Sequence, residues 1–333
     1  MNQIGSMPSW AIWAVLAFFI LVMAGIIFIR SKRGKDNLHR GTTAFASPYT
    51  LWMIIFTVLP CLLIGYYAFT DSTGTFTLQN FAHFWDSNYA KNELYMQYGP
   101  EAAALIRRGT VNVDTLTYSL WMALLCTIIC LILAYPTAMI MADRELKMSS
   151  AIVVLFVVPM WMNFLLRTIA WMSILEDQGL INQLLSALGM PKAQLMYNNN
   201  AVLLGMVYNF LPFMVFPIYT VLGKMDYKLH EAAQDLGANS FQTFIRVTAP
   251  LSLPGVISGI TMVFMPSVTT FFIPRILGGG NTMMFGDLIE SKFLTEGDWN
   301  VGSALSLIMM VLILISLGIL RKADPEGEGG GLM

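Results

Sequence analysis

Glu231-Ala232-Ala233-Gln234-Asp235-Leu236-Gly237 stands between two long apolar stretches, and Val247-Thr248-Ala249-Pro250 follows after nine intervening residues. From Asp226 to Leu236 the residues read as a short helix. Asp226 offers a side-chain acceptor to the free amides of its first turn. Leu229, Ala232, Ala233 and Leu236 recur at spacings of three and four, which places them on one face. Gly237 falls where a helix ends in a left-handed residue, a conformation costly for anything with a Cβ. Asn239 or Ser240 then caps a second short helix lined by Phe241, Phe244, Ile245 and Thr248, and Pro250 stops it. A broken helix pair with an apolar stripe suits insertion into a partner's groove. Small Ala232 and Ala233 permit close approach, while Glu231 offers a charged contact at the rim. The alternative is an amphipathic connector lying on a membrane surface, which calls for a dense basic face. The segment 223–253 has only Lys224, Lys228 and Arg246, which favours the partner.

The flanks of this segment decide the fold class. Of the 333 residues 56% are hydrophobic and 12% charged, against about a quarter charged in ordinary soluble domains. Several nearly uncharged runs exceed the length needed to cross a hydrocarbon core of about 30 Å. They are too continuous for alternating barrel strands, and lipid offers no partner to a free backbone amide, so they are helices. The expected architecture is an all-α, polytopic membrane protein with about seven spans, near 9–29, 48–70, 115–141, 150–171, 201–222, 254–276 and 301–320. The first span has no positive charge before it and is followed at once by Arg30, Lys32, Arg33, Lys35 and Arg40, so it reads as an anchor rather than a cleaved leader.

Charge asymmetry orients the chain. Twelve of the nineteen Lys/Arg fall in 30–47, 142–149, 223–253 and 321–333, and seven in the other loops and span edges. This places the N-terminus outside, with the C-terminus and the Glu231 segment in the cytoplasm. Eleven of the twenty Asp/Glu lie on the outer side, giving formal balances of −4 outside and +3 inside. An acidic outer mouth would concentrate a cationic solute over roughly 10 Å; equally, the insertion rule alone depletes outer loops of lysine. The outer loop 71–114 is too short for a separate domain and reads as a lid or docking loop. The tail 323–333, rich in Gly and Glu, is expected to be disordered.

Covalent chemistry finds no support. Cys61, Cys126 and Cys130 all sit in apolar runs, and no histidine completes a metal set with the last two. They read as small buried hydrophobes. His39, His83 and His230 are scattered, and there is no Gly-x-x-x-x-Gly-Lys-Ser/Thr phosphate loop. A net charge of −1 gives no sign of nucleic acid. Polar groups within spans are the candidates for function, because burying them is costly. Trp161, Asn163, Arg167, Trp171, Glu176 and Asp177 gather near the outer end of the 150–171 span, and Tyr208, Asn209, Tyr219, Thr269 and Thr270 lie in later spans. Carboxylates with aromatic faces suit an alkyl diammonium. The competing reading pairs Arg167 with Glu176 or Asp177 structurally and makes the Trp residues an interfacial belt. Pro212, Pro217, Pro266 and Pro274 should kink the 201–222 and 254–276 spans, as gates or as quiet bends.

Specific stretches carry a resemblance. The Glu231–Pro250 pattern resembles the coupling loop of the permease subunits of binding-protein-dependent ABC importers. Trp161-Met-Asn-Phe-Leu-Leu-Arg167-Thr-Ile-Ala-Trp171, Gly179-x-Ile181-Asn182 and Leu211-Pro212-Phe213-x-x-x-Pro217-Ile218-Tyr219 resemble the spermidine/putrescine type, as do Phe272-Ile273-Pro274-x-x-Leu277-Gly278-Gly279 and Asp298-Trp299. Together these cover about residues 48–320. The resemblance implies a permease domain over 48–322 with its coupling loop at 223–253, preceded by an additional span and basic linker at 1–47. It implies a second homologous permease subunit, two cytoplasmic ATPases and an extracytoplasmic polyamine-binding protein, in the cytoplasmic membrane of a bacterium. This chain would bind no cofactor, ATP and Mg being held by the ATPases, which Glu231, Ala232, Ala233, Gly237 and Pro250 would face. Alternating access would follow from ATP-driven movement of the coupling helix. Two departures stand out: the family's Ile-x-Leu-Pro ending is Val247-Thr248-Ala249-Pro250 here, and members commonly have six spans. A secondary transporter of organic cations should carry several ionisable groups at midplane, and few exist. A membrane enzyme should show a convergent acid–base or metal site, and none is legible.

Overall fold

A computed structural model describes residues 49, 52–71, 73–85, 111–143, 154, 158–226, 228–280 and 282–323. The 9–29 span, its basic flank, most of the outer loop and the tail lie outside the described residues. Two compact units divide the chain at residue 67. In the first, a π-turn at Ile54–Val58 leads into an apolar helix, α1 (Leu59–Ala68), and Trp52 stacks on Phe56 with ring centroids 4.1 Å apart.

Among its described residues, the second unit is helical apart from loops and one antiparallel bridge between Thr70 and Phe76. Its elements are α2 (Gln79–Trp85), α3 (Val111–Ala142), α4 (Phe164–Leu175), α5 (Leu180–Ala187), α6 (Asn199–Lys224), α7 (Lys228–Asp235), α8 (Ser240–Thr243), α9 (Ala249–Thr269), α10 (Phe272–Leu277), α11 (Phe285–Ser291) and α12 (Trp299–Ala323). Four described helices are long and apolar enough to cross a membrane: 112–142, 199–224, 240–269 and 299–319. Three of the expected spans therefore run as single helices. The 254–276 span does not: α9 ends at Thr269, Thr270 turns extended, and α10 begins afresh at Phe272. Pro212 and Pro217 lie inside an uninterrupted α6, whereas Pro274 belongs to α10. Part of the 150–171 span lies outside the described residues; within it, 158–161 are helical and α4 begins at Phe164 after Asn163.

The core is a three-helix contact of α3, α6 and α9. In α6, 67% of the most apolar window is buried, against 28–33% in the other three long helices, so α6 is the central post. Cys126, Cys130, Ala134 and Ala138 recur every four residues as a buried stripe of small side chains on α3, and the Cys130 thiol reaches the Val207 carbonyl of α6 at 3.8 Å. On α9, Gly255-x-x-x-Gly259 serves the same end. A Cβ at Gly255 would stand 2.8 Å from the Pro217 carbonyl oxygen, and one at Gly259 2.7 Å from Met214 Sδ. With no apolar solvent penalty to press helices together in lipid, such backbone proximity supplies the dispersion contact. On α3, Thr117, Thr127 and Thr137 each donate to the carbonyl four residues earlier, so their hydroxyls are satisfied within the helix.

Contacts also fix direction. Gly205 near the start of α6 lies against Ile273 of α10, while Pro217 near its end meets Gly255 of α9, so α6 and α9 run antiparallel. Ser119 Oγ accepts from the Phe285 amide at 2.7 Å, and Tyr135 meets Ser252. The starts of α3 and α6 thus share an end with α10 and α11, and the α7–α8 segment lies at the opposite end.

Between α4 and α6, the fully buried Asn182 closes a loop. Its amide donates to the carbonyls of Glu176 (3.2 Å) and Ala193 (3.1 Å), and its Oδ1 accepts from the Ala193 amide (2.9 Å). Asn182→Ala removes three hydrogen bonds to the backbone, an expected cost of about 3 kcal/mol. Limited proteolysis should then cut within 176–193 well before the long helices are released.

Candidate functional site

The α7–α8 segment is built as its residues demand. Asp226 Oδ1 accepts from the Lys228 amide (3.1 Å), the expected N-cap. Gly237 is left-handed, with φ +86°. Its amide donates to the Gln234 carbonyl (2.8 Å) and the Ala238 amide to the Ala233 carbonyl (3.0 Å), the paired closure of a Schellman end. Asn239 is the second cap: its Oδ1 accepts from the Gln242 amide (2.8 Å) and its own amide donates to Gln242 Oε1 (3.1 Å).

Pro250 does not stop the second helix. From α8 the chain continues through a π-turn, Phe244–Thr248, directly into α9. The cause is the proline itself, which cannot donate and whose ring crowds the carbonyl four residues back. The wider turn, closed by the Ala249 amide on the Phe244 carbonyl, absorbs that misfit. The coupling pattern therefore ends inside a membrane helix, so α8 and α9 form one rod.

No residue of α7 is buried. Leu236 is 89% exposed and Phe241 70%, with Leu229 and Ile245 also exposed. Glu231 and Ala232 are exposed and Ala233 is half-buried. Large apolar side chains standing clear of the fold are the kind of surface that a protein or membrane contact covers. One polar contact ties α7 back: His230 Nε2 shares a 2.9 Å hydrogen bond with Thr248 Oγ1.

The expected solute-path residues are dispersed. Asn163 caps α4, its Oδ1 accepting from the Leu165 amide at 2.8 Å, and Trp161 before it is 84% exposed. Glu176 and Asp177 are exposed beyond the far end of α4. Nine helical residues set the Arg167 and Glu176 backbones about 13 Å apart, and Arg167 forms no ion pair among the described residues. Arg167 is buried, with its Nε lacking a partner. Trp171 and Tyr208 do meet, at a ring separation of 5.2 Å. Asn209, also buried, donates to the Gly205 carbonyl (2.9 Å) and reaches Thr168 Oγ1 at 3.5 Å.

At the α10–α11 end, Arg275 pairs with Glu290, and Lys292 with Glu296. Burial raises the Asp287 carboxyl above its ordinary value, opposed by the nearby Arg275 charge. In the 71–75 turn, hydrogen bonds from Thr73 and Thr75 hold the Asp71 carboxyl at about 2, so it stays ionised.

A polytopic helical membrane protein that joins two of its core spans through a glycine-broken helix pair is the class defined by these features. The chain belongs to the family described as binding-protein-dependent transport system inner membrane component, whose model matches residues 134–326. It is 33% identical over 281 residues to the spermidine/putrescine transport system permease protein PotB of Haemophilus influenzae, spanning 82% of this chain and 90% of that protein. Against PotB of Escherichia coli (strain K12) the identity is 32%, with 82% and 94% covered. The inner membrane ABC transporter permease protein YdcU of the same organism is 28% identical over 255 residues, 72% of this chain and 81% of that one. Among solved structures, a bacterial ABC transporter involved in import of the acidic polysaccharide alginate aligns with a TM-score of 0.63 at 14% identity, covering 85% of this chain and 96% of that one. Its complex with an alginate pentasaccharide-bound periplasmic protein gives 0.65 at 12%, covering 87% and 96%. At such identities the likeness concerns the fold.

Proposed function

We propose that this chain is a pore-forming subunit of an ATP-driven importer of spermidine and putrescine. The observation that carries the reading is the exposed, Schellman-closed α7–α8 pair, joined as one rod to a core span, in a chain a third identical to spermidine/putrescine permeases. The segment faces the cytoplasm, where the apolar side chains of Leu236 and Phe241 and the carboxylate of Glu231 dock in a groove of an ATPase. A second, homologous permease completes the pore, and an extracytoplasmic binding protein delivers the solute. The chain itself performs no covalent chemistry; ATP and Mg belong to the ATPase. Trp171, Tyr208 and Asn209 line the solute path, the two rings offering cation–π faces to an ammonium group. Arg167 repels a diammonium and sits beside the path as a barrier to unselective cation flow.

Uptake of labelled spermidine and putrescine into cells deleted for this chain is the test. Loss of ATP-dependent uptake, restored by the wild-type chain, is the expected result. Undiminished uptake in a host with no second polyamine system would remove the polyamine assignment.

A further inference from the structure

We propose that Tyr135 is the positioning residue that delivers movement of the α7–α8 segment to α3, an inference that rests on reading that segment as ATPase-coupled. Three elements meet at this side chain. Its ring stands edge-on to Phe244, the first residue of the π-turn, with centroids 5.5 Å apart and planes at 90°. Its hydroxyl lies 2.6 Å from Ser252 Oγ on α9. Ser252, fully buried, donates its own proton to the Ala249 carbonyl at 3.0 Å. The Tyr135 O–H is therefore the donor, and the two hydroxyls form a directed relay from α3 to the base of α9.

The other end of the π-turn is held as firmly. Thr248, its last residue, is bound by His230 of α7. Displacement of α7 thus passes through His230 to Thr248, across the wide turn to Phe244, and from Phe244 to Tyr135. The His230 contact and the Schellman closure at Gly237 together keep α7 from moving independently of the turn. On α3 the force arrives one residue before Pro136, where the missing amide leaves the Ile132 carbonyl without its helical donor and bending is easy. Beside the joint lies an apolar groove of about 590 Å³, lined by Leu131, Ile132, Ile245, Leu253 and Val256 among others. It leaves the two rings room to shift, and it offers the Tyr135 hydroxyl no polar competitor to Ser252. The Pro250-accommodating π-turn, a helix-internal proline and a part-buried hydroxyl pair meet at one place, an arrangement that rigid transmission with one compliant point would use.

The test is reconstitution of the full complex, this chain with its permease partner, ATPases and spermidine-loaded binding protein, in proteoliposomes. Spermidine carried and ATP hydrolysed are measured on the same vesicles. Tyr135→Phe keeps the ring against Phe244 and deletes only the donor; Ser252→Ala deletes the acceptor together with the Ser252 bond to the Ala249 carbonyl. Each should assemble and hydrolyse ATP, with spermidine carried per ATP falling roughly five-fold or more, the lower end of ordinary coupling free energies. The double variant should be no worse than either single, since both break one link. An unchanged ratio in the singles, multiplicative losses in the double, or transport and hydrolysis falling together with the amount of assembled complex would each overturn the proposal, the last by reducing Tyr135 to packing. If the wild-type complex carries no spermidine on ATP, the functional reading falls first and this inference with it.

Discussion

Gly237→Val is expected to abolish ATP-driven uptake while the protein still inserts and accumulates. Gly237 sits at φ +86° with no atom near a Cβ position, so the obstacle is backbone strain rather than a clash. A β-branched residue held in the left-handed region costs about 1–3 kcal/mol. The segment is exposed and has little else to hold it there, so the turn relaxes, the Schellman bonds at Gln234 and Ala233 break, and α7 loses its fixed angle to α8. The long helices do not depend on this turn and keep their packing. Gly237→Asn should retain most activity, because asparagine visits the left-handed region at lower cost. Uptake together with co-purification of the ATPase reads the outcome. A valine variant that transports at the wild-type rate would show that the broken helix pair is not the lever.

The largest effect on stability is expected at Gly255→Val. Its Cβ would meet the Pro217 carbonyl oxygen at 2.8 Å and Ile218 Cα at 3.1 Å, both backbone atoms that cannot rotate away. The α6–α9 contact must open to admit the side chain, a loss of about 3 kcal/mol at the upper end of overpacking penalties. Gly259→Ala meets the flexible Met214 side chain first, so its cost should be nearer about 1 kcal/mol. Thermal unfolding in detergent ranks the two variants. Equal melting temperatures for Gly255→Val and the wild type would mean that the two helices do not touch there.

Much of this was legible in order of residues because the signals are local. Asp226, Gly237 and Asn239 act on amides within a few positions of themselves, so their cap and turn roles follow from spacing. Long apolar runs likewise announce spans at 115–141, 201–222 and 301–320. Pro250 misled because a proline's effect depends on what precedes it: read alone it ends a helix, yet a π-turn accommodates it. The break at Thr270-Phe271 falls between Pro266 and Pro274, both read from the sequence as bends, and Pro274 leaves the Thr270 carbonyl without its helical donor; the sequence marked a kink there rather than a full interruption. Which polar and aromatic side chains come together in space was the least legible. Arg167, Glu176 and Asp177 are neighbours in sequence but are separated by helix rise, while Tyr135 and Ser252, 117 positions apart, are in contact. The Gly255-x-x-x-Gly259 spacing was visible in the sequence and marks a helix contact directly.

The bare surface of Leu229, Leu236, Phe241 and Ile245 also bears on how much of the protein a cell keeps. Lipid covers the membrane faces of a solitary copy, whereas on the proposed function these four side chains stand in water until the ATPase covers them. A chain synthesised in excess of its partner thus displays the same apolar signal that chaperones and proteases use to find damaged proteins. Steady-state abundance should therefore follow the scarcer subunit, so that the assembly sets its own stoichiometry by turnover as well as by synthesis.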